Sequence, residues 1–265
     1  HRDLHSFPTR RSSDLLATTV VSSRQLVATV PASMLASPAR YAIDVLDGTG
    51  PTNVFDLPVI QTIAVGDAPV AVGIDPETNL AVVANSGSDN VSLVDLSTGT
   101  VTNTIPVGDN PQGVGIFSRR GIAVISNRSG GSVTILDVDP ASSNFATAKV
   151  TVPAGAEPVG IGINDANGQA IIANSVSNTL TTLDAFSGGG INTVSVAPHA
   201  RPLAVAVDPA RNLAAVANST SNSVAIVDLD TNLVLFAISN VPGASGVVYD
   251  PVSDRFIAAA ALLNQ

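Results

Sequence analysis

An all-β fold made of repeated small antiparallel sheets is predicted here, and three observations predict it. A three-anchor signature returns four times: a Pro, an Asn sixteen residues later, and an Asp ten residues after that. The sets are Pro69/Asn85/Asp95, Pro111/Asn127/Asp137, Pro158/Asn174/Asp184 and Pro202/Asn218/Asp228. Between anchors, short Val/Ile/Leu/Ala runs alternate with small residues and are cut by Gly, Asn, Asp and Pro turn signals. Hydrophobic residues make up 45% of the 265-residue chain but aromatics only 3%, so the core must be aliphatic. Self-similarity at about 40–45 residues marks a β-propeller, in which each repeat is one four-stranded blade that cannot bury its faces alone.

The first repeat divides by its turn chemistry. PVAVGI (69–74) is an apolar strand ended by Asp75-Pro76, suited to the first two positions of a type I turn. LAVVANS (80–86) follows, then a Gly87-Ser88-Asp89 turn, VSLVDLS (91–97), a Thr98-Gly99 turn, and TVTNTIPVG (100–108). The recurrent Asn is expected to open the turn after the second strand, because Asn tolerates left-handed geometry and bonds its own backbone. The recurrent Asp is expected to end the third strand and accept backbone N–H groups of the next turn. Variation in repeat length lies between the third and fourth strands, at Asp139–Lys149 and Ser187–Gly190, so the insertions belong to the blade's outer edge or opposite face. Core positions are predicted at Val72, Ile74, Val114, Ile116, Ile161, Ile163, Val205 and Val207 on the first strands. Val82, Val124, Ile171, Val216, Leu93, Ile135, Leu183 and Ile226 continue the core on the inner strands. The intervening Gly73, Gly115, Gly162 and Ala206 are expected to let blades approach closely.

A fifth copy starts near Ala244 and reaches only two strands by Gln265. The expectation is an incomplete propeller of between four and five blades, with a bare sheet edge and a tendency to aggregate.

Upstream, Leu26–Val30 and Tyr41–Val45 alternate like strands, with turn chemistry at Asp47–Pro51. The stretches ATVPASML, YAIDV and GPTNVFDLPV resemble the C-terminal half of an immunoglobulin-like IPT/TIG domain, which implies a partial β-sandwich over residues 16–59. Arg40 stands where that family often has Gly. Residues 1–15, HRDLHSFPTRRSSDL, match neither the repeats nor a signal peptide. Back-translated in one frame they resemble a widely used short-read sequencing adapter, so this segment is expected to be irregular and to contact nothing. On that reading a signal peptide would have been lost upstream.

Residues 60–265 resemble the YVTN-type (YncE-like) β-propeller repeats of bacterial and archaeal surface proteins. The signature tetrapeptide survives as VVANS, VISNR, IIANS and AVANS. The resemblance implies a seven-bladed ring in the whole family member and a secreted, cell-surface or periplasmic location.

Several function classes are disfavoured. A formal charge of −9 argues against nucleic acid, which needs clustered Lys and Arg. No apolar run approaches the roughly 20 residues of a spanning helix, so no membrane insertion is expected. The absence of cysteine removes disulfides, thiolate metal sites and cysteine nucleophiles. No G-x-S-x-G, H-E-x-x-H, phosphate-loop or calcium-loop pattern is present, and no cofactor is expected. The loops entering each first strand and following each second strand should share one face. They carry Asp67, Asp89, Asp109, Asn110, Arg128, Glu157, His199 and Arg201, the candidate ligand set. The expected function is non-catalytic recognition or scaffolding, with a protein or glycan partner at the cell surface. A lactonase of the 6-phosphogluconolactonase type, using His199 and Arg201, is one alternative. A propeller domain of a larger redox enzyme is the other.

Overall fold

A computed structural model describes residues 17–22, 25–29, 41–46, 51–57 and 62–260, with side chains described from Thr62 onward. The segment 1–15 and the turn at 47–50 lie outside the described residues. The chain divides into two compact units, His1–Thr62 and Ile63–Gln265. In the first, β1 (Ala17–Ser22) pairs antiparallel with β2 (Gln25–Thr29), and β3 (Tyr41–Leu46) with β4 (Pro51–Leu57).

The second unit contains four four-stranded antiparallel sheets and one two-stranded sheet, as partial propeller blades require. Blade I holds β5 (Pro69–Asp75), β6 (Leu80–Asn85), β7 (Asn90–Asp95) and β8 (Thr100–Pro106). Blade II holds β9 (Pro111–Phe117), β10 (Ile122–Asn127), β11 (Ser132–Asp137) and β12 (Thr147–Pro153). Blade III holds β13 (Pro158–Asn164), β14 (Gln169–Asn174), β15 (Thr179–Asp184) and β16 (Asn192–Ser195). Blade IV holds β17 (Pro202–Asp208), β18 (Leu213–Asn218), β19 (Ser223–Asp228) and β20 (Leu233–Ser239), and blade V holds β21 (Gly246–Asp250) and β22 (Arg255–Ala259). The first strands pack in sequence order, β5 on β9, β9 on β13, β13 on β17 and β17 on β21.

The constant spacing of the anchors is a property of the hairpins. Pro69 and Asn85 are cross-strand partners, as are Pro111 and Asn127, Pro158 and Asn174, and Pro202 and Asn218. Each Asp closes the third strand opposite the first residue of the second: Asp95 faces Leu80, and Asp137 faces Ile122. The anchors therefore mark corners of a blade whose register is set locally.

Every hydrophobic cluster is shared by successive blades. Val82, Ala84, Leu93 and Ile105 of blade I meet Ala123, Ile125, Leu136 and Val138 of blade II, and the same arrangement joins each following pair. Stability is thus a chain of nearest-neighbour contacts. First-strand glycines supply flat seats for it. A Cβ added to Gly73 would lie 2.7 Å from both Val114 and Ile116, and one on Gly115 would lie 2.7 Å from Ile161.

This geometry corrects two of the expected core positions. Val72 and Ile74 are 60% and 56% exposed. Their counterparts in later blades rest on the preceding blade, and none of the described blades lies on that side of blade I. The pairs Val114/Ile116 and Ile161/Ile163 are half-buried. Val82, Leu93, Val124, Ile135, Ile171, Leu183, Val205, Val207, Val216 and Ile226 are buried as expected.

One core position breaks the pattern. Thr182 pairs with Ile171 where Leu93, Ile135 and Ile226 occupy the equivalent register, and it is fully buried with its hydroxyl unpartnered. A buried unpaired hydroxyl costs about 1–3 kcal/mol. Thr182→Val is therefore expected to stabilise the second unit by about 1 kcal/mol, read as a higher urea midpoint with unchanged slope. A lower midpoint would show that the hydroxyl has a partner.

Candidate functional site

One end of the blade array gathers the loops that precede each first strand and the turns that follow each second strand. The residue before each anchor proline adopts a left-handed backbone: Ala68 (φ 48°), Asn110 (57°), Glu157 (51°) and Arg201 (58°). Such geometry is costly for a residue with a Cβ and persists only where surrounding bonds over-determine it. They do here. The carbonyls of Ala68, Asn110, Glu157 and Arg201 accept the N–H of Ser86, Arg128, Ser175 and Ser219, at 2.9–3.0 Å.

Beneath these bonds lie the anchor asparagines, all fully buried. Their role is structural, as expected, but its mechanism differs from the one expected. The left-handed residues of the turn are Asp89, Gly131, Asn178 and Asn222, and the anchors themselves are not among the positive-φ residues. The anchors act through their amides instead. Asn85 donates to Ser92 Oγ (3.0 Å) and Asn90 Oδ1 (2.8 Å). Asn127 donates to Thr134 Oγ1 (2.9 Å) and Ser132 Oγ (3.1 Å), and Asn174 to Thr181 Oγ1 (2.9 Å) and Thr179 Oγ1 (3.1 Å). In blade IV, Ala225 replaces the hydroxyl residue, and Asn218 donates to the Val216 carbonyl at 3.1 Å.

A glycine three residues before the proline covers this amide, a role that sequence reasoning missed. A Cβ on Gly66, Gly108 or Gly155 would lie 2.7 Å from the side chain of Asn85, Asn127 or Asn174. The Gly-x-x-Pro spacing in three of four repeats was the available signal. His199 stands there in blade IV, with Nδ1 3.2 Å from Ser223 Oγ.

Successive blades are clasped by the same loops. Asp89 Oδ1 accepts the Asn110 N–H at 2.7 Å, Asn178 Oδ1 that of Arg201 at 2.8 Å, and Asn222 Oδ1 that of Gly243 at 2.8 Å. Gly131 has no side chain to do this, and in blade II Arg128 instead reaches Glu157 at 2.6 Å. The Arg128 guanidinium holds the Glu157 carboxyl below the usual carboxylate range, with smaller help from Ser175 and Arg201. Asp67 donates its N–H to Ser88 Oγ at 3.1 Å, and the Asp109 carbonyl accepts from Gly130. The structure therefore places all eight candidate residues on one end, and joins Asp89 to Asn110 and Arg128 to Glu157 directly. The His199 ring bonds within its own blade, while its backbone N–H donates to the Val196 carbonyl after β16 of blade III at 2.9 Å. Among the described residues, no group of three His, Cys, Asp or Glu side chains converges as a metal site would.

The opposite end carries the Asp turns. Asp95, Asp184 and Asp228 accept the N–H groups of Ser97, Phe186 and Asp230 at 2.7–2.8 Å, as expected. Hydrogen bonds to Ser97, to Ser187 and to Thr231 respectively lead in holding these carboxyls below their ordinary pKa. The insertions at 139–149 and 187–190 follow the third strands on this end. Arg211 bridges Asp208 (2.6 Å) and Asp254 (2.5 Å), linking blades IV and V and lowering Asp254 to about 2. Along the first strands of blades II–V runs an open groove of ≈ 480 Å³, lined by aliphatics such as Ile116, Ile163 and Val207, with Asp165 and Tyr249 its titratable groups. Burial raises the Asp165 carboxyl. Among the described residues, no helix is long and apolar enough to cross a membrane.

The chemistry available at the clasped end is hydrogen bonding by backbone, Ser, Thr and Asn, with isolated charges. A Ser–His contact exists at His199, but Ser223 is 2% exposed and so is not presented to a substrate. No family model matches the chain, and no curated protein matches it. Among solved structures it is similar to Kuenenia stuttgartiensis hydrazine synthase, with a TM-score of 0.64 and 19% identity over 73% of this chain. The chain spans about half of that protein's length, 55%, and at this identity the likeness is one of fold: β-propeller blades.

Proposed function

We propose that the second unit is a YVTN-type propeller acting in non-catalytic recognition or scaffolding, with a protein or glycan partner at a bacterial cell surface. On this reading the first unit is the end of an IPT/TIG-like domain. The observation that carries the proposal is the clasped end itself. Asp89, Asn110, Arg128, Glu157 and the Arg201 backbone tie blade to blade. What is left facing outward is a short-looped surface rich in Ser, Thr and Asn. Such a surface offers many hydrogen bonds and few aromatic anchors, so each blade contributes weak affinity and strength comes from repetition. The lactonase alternative rests on His199 and Arg201, and the bond from His199 to a buried serine gives it little support.

The test exposes the whole chain to a panel of lactones and sugar phosphates, and separately to arrayed glycans. The expected outcome is glycan or protein capture that weakens in Asp67→Ala and Asp109→Ala, without turnover of any lactone. Turnover abolished by His199→Ala or Arg201→Ala would overturn the recognition reading in favour of the lactonase.

A further inference from the structure

We infer that Asn167 is a self-modification site: it forms a succinimide with the Gly168 nitrogen, and the acid that results loosens the seam between blades III and IV. Asn167-Gly168 is the sole Asn-Gly pair in the chain. It lies in the turn between β13 and β14, with Asn167 exposed and Gly168 left-handed at φ 82°. Glycine presents no Cβ to hinder approach to its nitrogen. The asparagines in the equivalent turns of blades I and IV, Asn79 and Asn212, precede Leu80 and Leu213, whose bulk hinders ring closure.

The turn already holds the reacting groups together. Asn167 Oδ1 accepts the Gln169 N–H at 3.0 Å, which folds the carboxamide back along the Gly168 peptide and stabilises the oxyanion that forms on attack. An open recess of ≈ 230 Å³, with Asn167, Gly168, Gln169 and Asp184 in its lining, admits solvent to the pair. One contact works against the reaction: the Gly168 N–H donates to the Asn164 carbonyl at 3.0 Å and must leave it first. Modification is therefore slower in the folded chain than in an unfolded peptide. Solvent base removes the Gly168 amide proton, the nitrogen bonds to Asn167 Cγ, and the Cγ–Nδ2 bond breaks to release ammonia. Water then opens the succinimide at either carbonyl, leaving aspartate or isoaspartate.

The position matters because this carboxamide belongs to a bridge between blades. Asn212 Oδ1 in blade IV accepts from Asn164 Nδ2 at 2.7 Å and from Asn167 Nδ2 at 3.3 Å, while Asn212 Nδ2 donates to Asp230 at 2.6 Å. Modification turns one donor into a carboxylate that faces an acceptor. The Asn212 amide cannot rotate to meet it, because its oxygen would then face Asp230 and its nitrogen would face Asn164 Nδ2. Isoaspartate also adds a backbone methylene to a turn whose Gly168 carbonyl accepts the Ala185 N–H at 3.0 Å. Across the seam, the Asn212 carbonyl accepts the Leu229 N–H at 3.0 Å.

Incubation of the whole chain in mildly alkaline buffer, followed by peptide mapping and isoaspartyl methyltransferase labelling, tests the site. The variants are Asn167→Gln, whose longer side chain closes the ring poorly, and Asn167→Asp, which supplies one product from the start. The expected result is conversion at Asn167 in the wild type, ahead of Asn79 and Asn212, and none at that position in Asn167→Gln. The aged wild type and Asn167→Asp should exchange the Ala185 and Leu229 amides about fivefold faster, with the amides of blade I unchanged. An Asn167 that stays intact while the same peptide freed by digestion converts overturns the site. Conversion without faster exchange at Ala185 and Leu229 overturns its effect on the seam.

Discussion

Gly113→Ala is expected to destabilise the second unit by about 3 kcal/mol, the upper end of ordinary overpacking. The added Cβ would lie 2.1 Å from the carbonyl oxygen of Val159 in the next blade, and 2.7 Å from Ser126 Oγ. Neither can step aside without loss, because Ser126 Oγ donates to that same carbonyl at 2.6 Å. The blades themselves would have to part. Gly115→Ala is the control: its new methyl would meet only the side chains of Ile161 and Ile163, at 2.7–3.0 Å, which can rotate. It should cost about 1 kcal/mol. Urea unfolding of the two variants measures the difference, and equal costs would mean that the blade interface deforms as readily through backbone as through side chains.

The second large effect is expected at the anchor asparagines, and it should differ from blade to blade. Asn127→Ala removes two hydrogen bonds to the third strand and opens a cavity under Gly108, in a fully buried place. The expected loss is about 3 kcal/mol. Asn218→Ala removes a single bond to the Val216 carbonyl, because Ala225 offers no hydroxyl, and should cost about 1 kcal/mol. If Asn218→Ala proves as damaging as Asn127→Ala, the value of the anchor lies in filling space rather than in bridging strands. In all four blades the amide oxygen is buried without a partner, so the donor side carries the interaction.

Much of the blade was legible before any coordinates. The Pro-to-Asn and Asn-to-Asp intervals stated the hairpin register, and the Asp-Pro and Gly turns stated where strands end. These features depend on residues a few positions apart, so local spacing suffices to read them. Of the candidate site, the loops were legible but the bonds were not. Asp89 and Asn110 were both singled out, yet nothing in their neighbourhoods indicated that one caps the backbone of the other across a blade boundary. The anchor Asn was read as a turn former because that is the commoner local use of the residue. Its hydroxyl partners seven residues on, and the glycine covering it, matter only once the strands are side by side.

The sequence by itself determined the all-β class, the four-stranded repeat, the register of its hairpins and the start of a fifth copy, because each follows from periodicity and turn chemistry within one repeat. The tertiary structure alone decided which face of each first strand is buried. Val72 and Ile74 share the pattern of Val114 and Ile116, but their burial depends on a neighbouring blade. It also decided that Thr182 sits unpaired in an aliphatic layer and that Gly113 faces a backbone carbonyl while Gly115 faces isoleucine side chains. The physical reason is common to all three. Packing between blades joins residues some forty positions apart, and a short-range hydrophobic pattern states that a residue wants burial without stating what is there to bury it.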